Sequence, residues 1–126
     1  MSKYLNGITH AVVTIPEESD ANQSCVVAIV DIYFGQDTAI CGMKYSKRGG
    51  NVGWRAPMVQ FLKDGKEWIP IPVFKGGLLL DICKLCSQAI SRVKKTFGRP
   101  VWGHKYIVLR DRVIHQDREG KEIVDA

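Results

Sequence analysis

Between Leu78 and Phe97 the apolar residues Leu79, Ile82, Cys83, Cys86, Ile90, Val93 and Phe97 recur at steps of three and four. That spacing places them on one stripe of an α-helix about 20 residues long, with a polar face opposite. Gly98 is a natural C′ residue just past the helix end, and Pro100 blocks continuation. A helix of this kind must bury its stripe against something, and the rest of the chain reads as strand. Ile90→Asp, which puts an unpaired charge on the stripe, is expected to destabilise the fold strongly.

Ile8–Ile15 is β-branched and partly alternating, and Cys25–Phe34 is a strong strand pattern. Gly35-Gln36-Asp37 is a turn signal, after which Thr38–Tyr45 pairs back as a hairpin. Pro16–Ser24 is polar and reads as a loop, and Ser46–Gly53 reads as a flexible basic loop. Trp54–Leu62 reads as a strand bent at Pro57, and Asp64-Gly65 is the strongest hairpin signal in the chain. Glu67–Phe74 follows, and Pro70 and Pro72 restrict it to an edge or irregular strand. After the helix, Lys105–Leu109 and Arg112–His115 read as short strands. The expected fold is α+β: an antiparallel sheet of four to five strands, one long packed helix over about 78–97, and a short C-terminal β extension. The 126 residues suit a single domain, with a core over 8–97 and the extension over 98–126.

Charge is distributed unevenly. The formal net charge is +5, with −4 over residues 1–37, +11 over 38–110 and −2 over 111–126. A basic middle between acidic ends points to a surface for a polyanion. No apolar run approaches the length of a membrane span, and Met1–Gly7 lacks the apolar region of a signal peptide, so a soluble cytoplasmic protein with no membrane association is expected.

The richest stretch for binding is Lys44–Arg55. Lys44, Lys47, Arg48 and Arg55 are cations for phosphates, and Tyr45 and Trp54 are flat side chains on which bases stack. The end of the helix adds Arg92, Lys94, Lys95 and Arg99. Trp68 and Trp102 read as packing residues.

No catalytic motif is present: no P-loop, no G-x-G-x-x-G and no G-x-S-x-G. Along the sequence, His10, His104 and His115 do not stand at triad or ligand spacing from another candidate group. Cys83 and Cys86 form a C-x-x-C, the weak metal alternative, but both fall on the apolar stripe, where free cysteines act as small hydrophobes. Cys25 and Cys41 are far from them in sequence, and four reduced thiols suit a reducing compartment. No cofactor and no enzymatic activity are expected.

Several segments together resemble a known family. They are Val27–Ile32, Ile40–Lys44, Trp54–Pro57, Asp64–Glu67, Ile71–Phe74 and the helix ending in Ala89-Ile90. Their order is similar to that of the SpoVG (stage V sporulation protein G) family, over about residues 8–90. The resemblance implies a small cytoplasmic homodimer that binds DNA or RNA and regulates gene expression. The chain departs from the family at Ala56–Val59, at Lys75–Leu80 and after Gly98. The sheet-then-helix layout also looks like that of positive transcription coactivators that bind single-stranded DNA. The expected function is therefore non-enzymatic nucleic-acid binding. The alternative is a protein-interaction module, such as an inhibitor or adaptor encoded by a phage or mobile element.

Overall fold

The computed structural model describes residues 8–35, 38–72 and 74–124, with the backbone alone for 59–63 and 68–72. Trp68 as a packing residue therefore lies outside the described side chains. So do Gln36 and Asp37 of the expected turn.

The fold is α+β. Six strands form one antiparallel sheet in the order β4-β3-β2-β1-β7-β8: β1 (His10–Thr14), β2 (Val26–Phe34), β3 (Thr38–Arg48), β4 (Asn51–Arg55), β7 (Lys105–Leu109) and β8 (Val113–Gln116). Two further strands, β5 (Met58–Lys63) and β6 (Glu67–Pro72), pair with each other in a separate two-stranded sheet among the described residues. The helices are α1 (Glu18–Ser24) and α2 (Gly76–Phe97).

Helix α2 lies across one face of the large sheet, against β1, β2, β7 and β8. The contact follows from the two periodicities. Alternate strand residues Val13, Val30, Ile32, Met43, Tyr106 and Val108 point to the helix, and Ile82, Cys86, Ala89 and Val93 answer them. Ile82, Cys86 and Val93 are completely buried. Ile90 belongs to the stripe by spacing but sits at its margin, only partly buried. The stripe expected from the spacing is thus observed, with Ile82, Cys86 and Val93 at its buried centre.

The strand count and partition also differ from the expected four to five strands. The chain breaks at Ala56–Pro57, and this splits the expected long strand between two sheets. Beyond the break, Asp64 and Gly65 take φ of 53° and 67°, the left-handed pair that an Asp-Gly hairpin turn uses. Pro70 and Pro72, two residues apart, remove N–H groups from one edge of β6, which among the described residues pairs with β5 alone. The basic stretch 46–53 is mostly strand rather than flexible loop. Arg48 pairs with Asn51 across a two-residue Gly49-Gly50 turn, with Gly49 at φ 59°.

The C-terminal segment is part of the main sheet. β7 pairs with the central strand β1, and Tyr106 on it is fully buried. Its hydroxyl accepts a hydrogen bond from the Val101 N–H at 3.0 Å. Seven residues of the polar segment before β2 form α1, where a loop is expected from composition. Ala21 is its only buried residue, and Cys25 ends it at φ 64°, donating its N–H to the Ala21 carbonyl at 2.8 Å.

Candidate nucleic-acid interface

The β3–β4 hairpin sorts the basic stretch onto two faces. Lys44 pairs with Arg55, Tyr45 with Trp54, Lys47 with Val52 and Arg48 with Asn51. By the alternation of a strand, Tyr45, Lys47, Val52 and Trp54 share one face, and Lys44, Arg48 and Arg55 share the other. The first face is the one that carries α2. Trp54 is half-buried there and donates its indole N–H to the Ser87 hydroxyl of α2 at 3.0 Å. Its ring meets Tyr45 at a centroid distance of 4.9 Å. Trp54 is thus a bolt between hairpin and helix, and Tyr45 is the aromatic that faces the space beside it.

That space is a groove of about 330 Å³ between the hairpin and the C-terminal end of α2. Tyr45, Ile90, Pro100 and Trp102 form its apolar walls. Lys47 from β3, Lys94 from α2 and Arg99 from the segment after it supply its charge. All three cations are exposed, and no carboxylate lines the groove among the described residues. The end of α2 favours such cations in its own right. Its last carbonyls carry partial negative charge, and Lys94 and Lys95 lie in the last turn.

The fold therefore brings together residues about 50 positions apart in sequence: Tyr45 and Lys47 with Lys94 and Arg99. It does not bring the other candidates to the same place. Lys44 and Arg55 are exposed on the far face of the hairpin. Arg48 donates from Nε to the Cys25 sulfur at 3.4 Å, a contact that raises the guanidinium pKa further above its ordinary value. Lys95 is exposed but does not line the groove. Arg92 sits on the opposite flank of α2, where its Nη1 donates to the Leu109 carbonyl. Trp102 packs against the core, as expected, and also forms a wall of the groove.

The cysteines form no centre. Cys86 is completely buried, and burial pushes its thiol up to about 12. Burial also raises Cys83, one turn away. Among the described residues, no group of three or more His, Cys, Asp or Glu is placed to hold a metal ion. No helix among them is long and apolar enough to cross a membrane.

One cluster escaped the sequence. His104 Nδ1 and His115 Nε2 are 2.8 Å apart, and the His115 ring stacks on Tyr106 at 4.4 Å. The two histidines are eleven positions apart and meet because β7 and β8 pair Tyr106 with His115. The pairing of these two strands was the one signal that could have placed them together.

Comparisons with family models, with curated proteins and with solved structures returned no match.

Proposed function

We propose that this protein binds nucleic acid without catalysing a reaction, and that the groove between the β3–β4 hairpin and the end of α2 is the contact surface. The observation that carries the reading is the placing of Lys47, Lys94 and Arg99 around walls that include Tyr45 and Trp102. Cations for phosphates beside apolar and aromatic surface for bases is what a nucleic-acid strand requires. The +11 charge of residues 38–110 supports a polyanion as the partner. The similarity of segments to the SpoVG family supports the same class, and with it a regulatory role as a cytoplasmic homodimer.

The test is a titration of labelled single-stranded DNA, duplex DNA and RNA followed by fluorescence anisotropy over a range of salt. Binding that weakens steeply as salt rises is the expected result. Failure to bind all three polymers at low salt refutes the proposal. In that case, a stoichiometric protein partner captured in the presence of nuclease would establish the interaction-module alternative.

A further inference from the structure

Helix α2 has a second groove along its other flank, independent of the one assigned to nucleic acid. It is a cavity of about 410 Å³ between α2 and the ends of β1 and β7. Its floor is aliphatic: Ala11, Ile32, Ala89 and Val108 are buried, and Leu85 and Ile8 rise at the sides. Ala11 from the sheet and Ala89 from the helix both line the space, and larger residues at these positions would reduce it. The volume lies within the range of small-molecule sites, roughly 300–1,000 Å³.

The rim is cationic. Arg92 and Arg110 both line the cavity, and no carboxylate does so among the described residues. Arg92 is partly buried and held in place by its bond to the Leu109 carbonyl. One Nη1 hydrogen is used there, so a guanidinium with five donors keeps others for a ligand. Arg110 is exposed at the mouth. Gln88 and Thr9 add neutral polar groups. His10, also on the rim, is fixed by parallel stacking on Tyr33 at 4.4 Å and by Thr9 Oγ1 at 3.1 Å from its Nδ1.

From this charge and shape we infer that the cavity binds a small organic anion with an aliphatic body. The charged head sits at Arg92 and Arg110, and the body lies on the alanine floor. A bare anion would leave the aliphatic floor unused, and a neutral amphiphile would leave the arginines unpaired. Each part of the site thus selects for one part of the ligand.

Octanoate is a suitable probe, with 1-octanol and inorganic phosphate as its two halves. In heteronuclear NMR titrations of the full chain, octanoate is expected to give saturable shifts at Ala11, Ala89, Val108 and Leu109. Octanol and phosphate should each bind about tenfold or more weakly, the scale of one charge-assisted contact. Arg110→Gln, at an exposed position that spares the fold, should weaken octanoate about tenfold and leave octanol unchanged. The inference is overturned by the absence of saturable octanoate shifts at these residues. It is equally overturned if phosphate or octanol binds as well as octanoate, or if Arg110→Gln has no effect.

Discussion

Substituting the three groove cations one at a time tests the proposed interface through the salt dependence of binding as well as through affinity. Each phosphate neutralised on a single strand contributes about 0.7 to the slope of log K against log salt. Lys47, Lys94 and Arg99 together therefore supply a slope of about 2.1, and between ~50 and ~200 mM salt they account for about a twentyfold loss of affinity. Lys47→Gln, Lys94→Gln and Arg99→Gln should each lower the slope by about 0.7. Tyr45→Leu removes a stacking surface and leaves the charge. It should weaken binding by about 1 kcal/mol or more for each base that stacks, with the slope unchanged. Lys66→Gln serves as control, because Lys66 sits in the β5–β6 turn, outside the large sheet. Fluorescence anisotropy on a single-stranded oligonucleotide at several salt concentrations, with melting curves to confirm folding, reads all five variants. The reasoning is refuted if Lys66→Gln lowers the slope as much as Lys94→Gln, or if all three groove substitutions leave it unchanged.

Four further outcomes follow from the packing and the charges. Ile82→Ala, at a completely buried site, should cost about 2–5 kcal/mol in urea unfolding, and Ile90→Ala at the margin of the stripe clearly less. Gly103 has φ 79°, and a Cβ there would overlap the Glu17 carboxylate and lie 2.7 Å from Arg118 Nε. Gly103→Ala should therefore lower the melting temperature, at a cost on the order of 1–3 kcal/mol for the backbone strain alone. In the native protein at mildly alkaline pH, a thiol-labelling reagent should modify the exposed Cys41 and leave Cys86, buried and with a thiol near 12, unmodified until unfolding. The hydrogen bond from Arg118 holds the Glu17 carboxyl below its usual range. Its folded pKa is depressed, so this contribution to stability is complete above the ordinary carboxylate range and is lost as pH falls through the lowered value. Glu17→Gln should flatten the acid limb of a stability–pH curve and leave its alkaline limb unchanged.

The parts of this fold that carry a strong local pattern could be read from the chain, and the parts with a weak local pattern or set by long-range pairing could not. The extent of α2 follows from its stripe and from Gly98, whose N–H closes on the Lys94 carbonyl. The β5–β6 turn follows from Asp64-Gly65. By contrast, α1 has one buried residue and no apolar period, so nothing in its composition distinguishes it from a polar loop. The division into two sheets depends on the break at Ala56–Pro57, which looks like a bend in an otherwise continuous strand. The site was half visible. Charge and aromatic content selected both the hairpin and the end of the helix. Strand alternation then removed Lys44, Arg48 and Arg55 from the shared face, and the turn of α2 sent Arg92 to its other flank. Composition does not carry facing, so those four could not be separated from Lys47 and Lys94 before the register was known.

The N-terminal and C-terminal segments are joined beside the groove through one acid and one base, Glu17 and Arg118. Arg118 forms a two-point ion pair with Glu17, Nε to Oε1 at 2.5 Å and Nη2 to Oε2 at 3.0 Å. The same Nη2 donates to the Trp102 carbonyl at 3.0 Å. Gly103 N–H, next along the chain, is shared between the carbonyls of Ile15 and Pro16. Trp102 and Ile15 both line the groove, so the clamp fixes one wall from behind. Glu17 itself is spent on Arg118 and does not line the groove. Paired as it is, Glu17 anchors the wall, and the lysines and arginine at the mouth keep the field positive.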